Sequence, residues 1–500
     1  MCMPALQCVD CQEAARRATT DPSKLIEDIS NGKPDHQLLN SVAVLPSRRF
    51  KLSHSGLATT FIRYIVEGYQ PTNIRPHKAF EQGPPLWSAP LKGLSNILAT
   101  FPEMNPSKKD WVVIREIRAA YPQIMQAIWR DLHLLLPPGK AADTLRFETL
   151  IFLNNIMVTG GYKSEMHDET TLALVMHCWL NMSMDRERRR AAVRLVFDLL
   201  CGVSCDITSN VLDIVVRSVS LEAIIAKAKI SLADTRLIDK ALEEELKAIQ
   251  VFCLVRRPWS SGLIGAGLHL DISYALQRQR NSAVDHTCDN AVIDMGGHVI
   301  KYLGGISDNS TACYTDLITK ADFLSIVAHG LLQSFFEHFP SETLNQIHGI
   351  WFDVLQTLVA NTKSCNCSTC TYVPSPAYLE ACRIGLERVY VPTRDYLRTI
   401  DERLSSSHLQ VWESLAFAAG VSETALRAKW ISERKCCYPA CSLPSTRKVK
   451  KCIGCEVVHY HGRECQKALV DFPVPKCLFP YADGLGFRDW KYHKGTCGHT

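Results

Sequence analysis

Cysteine and histidine occur in closely spaced pairs near the end of this 500-residue sequence, where the last 65 residues hold 8 of its 21 cysteines. Two to four residues separate the members of each pair, and the pairs are Cys436 (or Cys437) with Cys441, Cys452 with Cys455, His461 with Cys465, and His493 with Cys497. Such spacing lets a tight turn direct two side chains at one ion, and zinc accepts sulfur and nitrogen ligands tetrahedrally. Eight ligands make two closed four-coordinate sites, which leave no position for water and are therefore structural.

A segment of this size needs metal ions in order to fold. Residues 436–497 have proline-rich loops, and a module of about 60 residues buries too little apolar surface to be stable alone. Structural zinc contributes roughly 10–16 kcal/mol of apparent folding free energy in small fingers. We therefore expect a chelator to unfold this segment and to leave the remainder of the chain intact.

The order and spacing of the pairs resemble a MYND-type zinc finger. That family has a cysteine pair, Cys-x2-Cys, Tyr-Cys-x3-Cys-Gln and then Asp-Trp-x2-His-Lys-x2-Cys, and the matching residues here are Tyr460, Cys465-Gln466, Asp489-Trp490, His493-Lys494 and Cys497. The resemblance covers about residues 436–497. It implies an interleaved arrangement, in which one zinc ion takes Cys436, Cys441, His461 and Cys465, and the other takes Cys452, Cys455, His493 and Cys497.

The segment departs from the family pattern at three places. His461 stands where the family has cysteine, and a neutral imidazole is an ordinary zinc ligand. Cys436 and Cys437 compete for the first position, and we favour Cys436. An insert of 22 residues separates Gln466 from Asp489 and contains Cys477, which we expect to be a free thiol.

The resemblance implies a protein-interaction function. MYND modules bind short proline-containing peptides of partner proteins, and Gln466 and Trp490 are the candidate contact residues. We expect a zinc-binding scaffold without enzymatic activity, for which transcriptional regulation is one setting. No motif for a small-molecule substrate is evident.

From about residue 141 to 430 the sequence has the periodicity of amphipathic helices. One such stripe consists of Ile347, Trp351, Val354 and Leu358. Asp168 and Glu169 are placed to cap a helix start. The expected fold is mainly α, either an armadillo- or HEAT-like solenoid or an irregular helical bundle. Residues 1–140 are predicted to be irregular and partly helical, and the finger forms the third domain. The glycine pairs Gly296-Gly297 and Gly304-Gly305 are predicted to be turns.

Net charge argues against direct nucleic-acid binding by the body of the chain. The sequence carries +5 overall, and residues 431–500 account for +6 of it, which leaves the remainder close to neutral. The basic run Arg447–Lys451 is either a solvated loop or a nucleic-acid or nuclear-import patch. No stretch of about 18 uncharged apolar residues and no secretory signal is evident, so an intracellular protein of the cytoplasm or nucleus is expected.

Two weaker patterns remain. Cys365, Cys367 and Cys370 form a compact cluster, which is either a loop with free thiols or a metal site lacking an obvious fourth ligand. The stretch from Asp285 to Asn290 has a faint similarity to a motif of SET-type lysine methyltransferases. That alternative function requires strands around residues 260–300 and S-adenosylmethionine as a cofactor.

Overall fold

The chain is mainly helical in this computed structural model. The structure describes residues 9–45, 52–70, 85–102, 105–160, 168–182, 192–195, 197, 217–253, 257–282, 286–306, 310–333, 349–367, 370–399, 402–433, 450–451 and 459–460. Contacts between residues divide the chain into two compact units. Unit 1 consists of Met1–Ser231 and Lys247–Arg256, and unit 2 consists of Leu232–Leu246 and Arg257–Thr500.

The described elements of unit 1 are helices. They are α1 (Val9–Thr20), α2 (Pro22–Ser30), α3 (His36–Val44), a 3-10 turn (Leu52–His54), α4 (Leu57–Val66), α5 (Ser88–Leu98), α6 (Lys108–Arg130), a second 3-10 turn (Leu132–Leu134), α7 (Lys140–Gly160) and α8 (Glu169–Asn181). The boundary between the units falls within α9 (Leu221–Ala233) and α10 (Asp239–Cys253). Residues 1–140 were predicted to be irregular and only partly helical, and their described ranges contain α1 to α6.

Unit 2 is helical with two short β-hairpins. Its elements are α11 (Arg257–Gly265), α12 (Leu268–Ser282), α13 (His286–Ile306), α14 (Ser310–Ala321), α15 (Phe323–Gln333), α16 (Ile350–Ala360), β1 (Cys365–Cys367), β2 (Cys370–Tyr372), α17 (Pro376–Thr399), α18 (Glu402–Ala418), α19 (Glu423–Glu433), β3 (Lys450–Lys451) and β4 (His459–Tyr460). None of the described helices combines the length and the apolarity needed to cross a bilayer.

Local sequence signals determine several helix starts. The Ser107 hydroxyl accepts from the Asp110 backbone N–H at 3.2 Å, and the Asp110 carboxylate accepts from the Ser107 N–H at 2.7 Å, a reciprocal capping box at the start of α6. Asp168 caps α8 by accepting from the Thr171 N–H at 3.0 Å, which confirms the capping prediction. Helix α6 continues through Pro122.

In unit 1, α5 packs against α3, α4 and α7, and its Leu91, Leu94 and Leu98 are fully buried. The close approach of α4 to α5 depends on Gly93, because a Cβ atom there would lie 2.2 Å from the Phe61 ring. Arg146 of α7 is also fully buried. Its guanidinium donates to the carbonyl of Pro137 at 3.0 Å and to Asp143 at 2.6 Å, so a paired charge closes the loop before α7.

In unit 2, α13 packs against α11, α12, α14, α15 and α16, and α17 packs against α14, α15, α18 and α19. These contacts join helices that lie close together along the chain, as in a helical array. Trp351 of α16 is completely buried and lies against Gly297 of α13 and Gly330 of α15. Val354 and Leu358 are likewise 0% exposed, which confirms the predicted apolar stripe for these three residues of α16. Its first member, Ile347, lies outside the described residues.

The prediction of turns at the glycine pairs was wrong. Gly296, Gly297, Gly304 and Gly305 lie inside α13. A Cβ atom at Gly296 would lie 2.5 Å from the Leu276 side chain, and one at Gly304 would lie 2.7 Å from the Tyr314 ring. Glycine occurs in this helix because α12 and α14 approach it closely.

Candidate metal and interaction sites

The predicted zinc ligands all lie outside the described residues. They are Cys436, Cys437, Cys441, Cys452, Cys455, His461, Cys465, His493 and Cys497. The predicted partner-binding residues Gln466 and Trp490 also lie outside them. The ligand set, the choice between Cys436 and Cys437, and the peptide contacts therefore stay predictions.

The structure describes one element of the predicted finger, the antiparallel ribbon formed by β3 and β4. Lys450 pairs with Tyr460, and Lys451 pairs with His459. Because the strands are antiparallel, the chain leaves β3 at one end of the ribbon and leaves β4 at the opposite end. The segment with Cys452 and Cys455 thus begins at one end, and the segment with His461 begins at the other.

Five helix cysteines have described side chains, and all five are buried thiols. They are Cys11, Cys178, Cys253, Cys313 and Cys382. Burial raises the pKa of the Cys178, Cys313 and Cys382 thiols to about 12, and it raises that of Cys253 as well. Since metals and oxidants react with the thiolate, these groups act as small apolar side chains.

The Cys365 cluster forms a hairpin, where a loop was predicted. In β1 and β2, Cys365 pairs with Tyr372, Asn366 with Thr371, and Cys367 with Cys370. Alternate residues of a strand belong to opposite faces, and directly paired residues share a face. The three cysteines therefore lie on one face of the hairpin together with Tyr372. Asn366 and Thr371 lie on the other face.

Among the side chains that the structure describes, no group of three or more His, Cys, Asp or Glu residues could hold a metal ion. Histidine–aspartate pairs occur in both units: His54 Nε2 lies 2.8 Å from Asp110 Oδ1 in unit 1, and His329 Nε2 lies 3.3 Å from Asp289 Oδ2 in unit 2. Asp289 is 4% exposed and belongs to α13, within the stretch compared with the methyltransferase motif. Helices α11 (Arg257–Gly265), α12 (Leu268–Ser282) and α13 (His286–Ile306) occupy the region where that alternative requires strands.

A surface groove lies between the end of α16 and the second half of α18. It has a volume of about 520 Å³, and its lining includes Val359, Lys363, Glu413 and Phe417. The Phe417 side chain is 87% exposed. Glu413 accepts hydrogen bonds from Arg394 at 2.7 Å and from Arg398 at 3.4 Å. The groove is thus an apolar surface with an ion-pair cluster at its margin.

Comparison with known proteins does not assign the chain to a family. No protein-family model matches it, and no curated protein matches it. Among solved structures it is similar to the crystal structure of an engineered protein, with 12% sequence identity, a TM-score of 0.35, and coverage of 84% of this chain and 98% of that one.

Proposed function

We propose that this protein is a zinc-dependent interaction scaffold. Residues 436–497 fold around two structural zinc ions, and the resulting MYND-like finger binds proline-containing segments of partner proteins. The observation that carries the proposal is the set of four ligand pairs within 62 residues, each with the spacing that a tetrahedral zinc site requires.

The ribbon register supports the interleaved ligand assignment. The pair Cys452–Cys455 lies in the segment that joins β3 to β4, and the pair His461–Cys465 follows β4 from the other end of the ribbon. Consecutive pairs that start at opposite ends are suited to separate ions. The first and third pairs then serve one zinc ion, and the second and fourth pairs serve the other.

Charge balance also favours filled sites. Six thiolates and two divalent zinc ions leave two net negative charges on the finger. The surrounding sequence is strongly basic, with Lys448, Lys450, Lys451 and Arg463 close to predicted ligands. Opposite charges at short range stabilise the thiolate form of each cysteine.

The helix before the finger is firmly attached to unit 2. Arg427 of α19 donates to Asp395 of α17 at 3.0 Å and to Glu423 at 2.8 Å, and Lys429 donates to Glu387 of α17 at 2.7 Å. Helix α19 ends at Glu433, three residues before Cys436. The predicted finger thus follows, after a short segment of sequence, a helix that ion pairs join to α17.

Native mass spectrometry of the full chain, with and without a chelator, tests the zinc sites. We expect the double variant Cys465→Ser, Cys497→Ser, which removes one ligand from each site, to carry two zinc ions fewer than the wild-type chain. His461→Ala removes a single ion, and the matched control His459→Ala keeps both. Loss of no ion or of one ion in the double variant contradicts the eight-ligand assignment.

Peptide binding tests the proposed activity separately. An array of proline-containing peptides, probed with the zinc-loaded full chain, should give binders whose signal falls at least tenfold for Gln466→Ala and for Trp490→Ala. Zinc content is measured in the same samples, because a fall in both shows that the residue supports the finger. Unchanged peptide binding in both variants, or an array without binders, contradicts the proposed mode of recruitment.

A further inference from the structure

The hairpin β1–β2 contains a cluster of cysteines, unlike the described helices. Cys365, Cys367 and Cys370 fall within six residues and share one face of the hairpin, whereas the five buried thiols lie singly in helices. The chain on both sides of the hairpin is at the surface, since Lys363 and Ser364 are exposed and Val373 is 72% exposed.

Such a hairpin is poorly stabilised by its own sequence. Each strand has three residues, and an isolated two-stranded hairpin is marginal at best in water. Its two-residue connection is Ser368-Thr369, whereas tight hairpin turns favour Asn-Gly, Asp-Gly or glycine. A cross-link between the strands would supply the missing stability, and the residues placed to make one are the directly paired Cys367 and Cys370.

Paired cysteines can be cross-linked by a disulfide or by a metal ion, and the position of the third cysteine favours the metal ion. A disulfide between Cys367 and Cys370 leaves Cys365 unused on the same face. A metal ion takes all three, since Cys365 is two residues from Cys367 along β1 and thus on its side of the strand. The opposite face carries only the neutral polar residues Asn366 and Thr371. The register thus brings three cysteines to one face of the hairpin, an arrangement suited to binding one soft cation.

We propose that Cys365, Cys367 and Cys370 form a three-thiolate site for a soft d10 cation, Zn²⁺ or Cu⁺, separate from the C-terminal finger. Each thiol releases its proton to solvent as its sulfur binds the ion, so binding needs no oxidant. Zn²⁺ in this site keeps a fourth position for water or an external ligand. Cu⁺ is satisfied by thiolates at a lower coordination number. The two ions share one ligand chemistry, and the experiment has an arm for each.

The test uses the full chain, stripped of metal under reducing, oxygen-free conditions and then supplied with Zn²⁺ in one arm and Cu⁺ in the other. Iodoacetamide labelling followed by peptide mass spectrometry measures the protection of each cysteine. We expect at least one arm to protect Cys365, Cys367 and Cys370 together by tenfold or more. Native mass spectra should show one bound ion fewer for Cys367→Ser.

The register provides matched controls on the same hairpin. Asn366→Ser and Thr371→Ser alter the opposite face and should retain the ion. Cys452→Ser, which acts on the predicted finger, should leave hairpin protection intact, so failure of one site is distinguishable from failure of the other. Equal labelling with and without metal in both arms overturns the proposal. So does recovery of a Cys367–Cys370 disulfide from protein purified without an added oxidant.

Discussion

Gly304 and Gly305 are adjacent in α13, yet their surroundings differ. A Cβ atom at Gly304 would lie 2.7 Å from Tyr314 Cζ and Oη, closer than real Cβ contacts allow. Tyr314 is fully buried and lies 6.2 Å from the Phe323 ring, measured between centroids, so it has little room to move. Nothing lies within 4 Å of the corresponding position at Gly305. The two residues thus form a matched pair in one helix.

We predict that Gly304→Ala and Gly305→Ala change stability in opposite directions. Overpacking against Tyr314 should lower the free energy of unfolding by about 1–3 kcal/mol for Gly304→Ala. Gly305→Ala should raise it by up to about 1 kcal/mol, because alanine loses less backbone entropy in a helix. Urea unfolding of both variants, followed by circular dichroism, measures the difference. Similar midpoints for the two variants would contradict the close packing of α13 on α14.

His269 of α12 is buried, and its surroundings favour the neutral form of the imidazole. It is 2% exposed, and neither ring nitrogen has a hydrogen-bond partner among the described residues. Burial lowers the pKa of His269, since the charged form loses its hydration; Asp316 and Asp271 oppose this shift and Lys320 adds to it. Burial also lowers the pKa values of His36, His177 and His298.

We predict that stability falls as the pH decreases from 7 to 5, and that His269 contributes to this fall. Below its ordinary pKa the unfolded histidine binds more protons than the folded one, so the free energy of unfolding rises with pH. His269→Leu and His269→Gln should both reduce the slope, and His269→Leu should in addition be more stable at pH 7 because it leaves no unpaired polar atom. Urea unfolding at several pH values measures both effects. A slope that neither variant changes would contradict the assignment of a neutral buried imidazole.

At the scale of elements, helices α17, α18 and α19 are joined by an ion-pair network. Arg394 of α17 is 7% exposed; it donates to Glu413 of α18 at 2.7 Å and also to Glu423 of α19. Arg383 lies on the same helix, but it is more exposed and pairs only within that helix, with Glu380 at 2.6 Å and Glu387 at 2.7 Å in the contacts described. Arg394 therefore joins three helices, whereas the described ion pairs of Arg383 lie within one helix.

We predict that Arg394→Met loosens α19. The loss of hydrogen bonds to two carboxylates should cost about 1–3 kcal/mol, reduced where solvent reaches the partners. Hydrogen exchange should accelerate over Glu423–Glu433 more than in the remainder of unit 2. Arg383→Ala, the control, should leave hydrogen exchange in α19 unchanged, because its ion pairs join residues of α17 alone. Equal exchange in α19 for both variants would show that the network does not attach it.

Periodicity in the sequence predicted the helices well where apolar residues form a stripe, as in α16, and capping residues predicted the start of α8 at Asp168. The sequence pattern did not predict α13 as one helix, because two glycine pairs are unfavourable in an isolated helix. For Gly296, Gly297 and Gly304 the reason is long-range, because Leu276, Trp351 and Tyr314 occupy the space that side chains would need. The hairpin β1–β2 was also missed, since Ser368-Thr369 is a weak turn signal.

At the scale of the whole molecule, the chain passes between its two units inside α9 and α10, and again at the start of α11. The changes occur at Ser231/Leu232, Leu246/Lys247 and Arg256/Arg257. No proline- or glycine-rich linker marks these places in the sequence, and a composition-based prediction of domain boundaries therefore places residues 141–430 in a single domain. Only contacts between residues distant in sequence define the two units.

We predict that removing metal from the full chain leaves the helical structure almost unchanged. The described helices contain none of the predicted zinc ligands, and their cores consist of apolar side chains. A chelator should leave the far-ultraviolet circular dichroism of helices intact and should abolish hydrogen-exchange protection in residues 436–497. A cooperative loss of helical signal on chelation would show that the helices depend on the metal. Persistent protection of 436–497 would instead contradict a zinc-stabilised finger.

The buried thiols give this protein a set of internal reporters of opening. Cys11, Cys178 and Cys253 belong to unit 1, and Cys313 and Cys382 belong to unit 2. A thiol in a closed core reacts with an alkylating reagent only after the surrounding helices separate. Brief labelling at increasing denaturant concentration therefore gives the concentration at which each position opens, without any engineered probe. If the first three are labelled in step and the last two at another denaturant concentration, the units unfold as independent cooperative blocks. A single shared midpoint would mean that the whole helical chain melts as one.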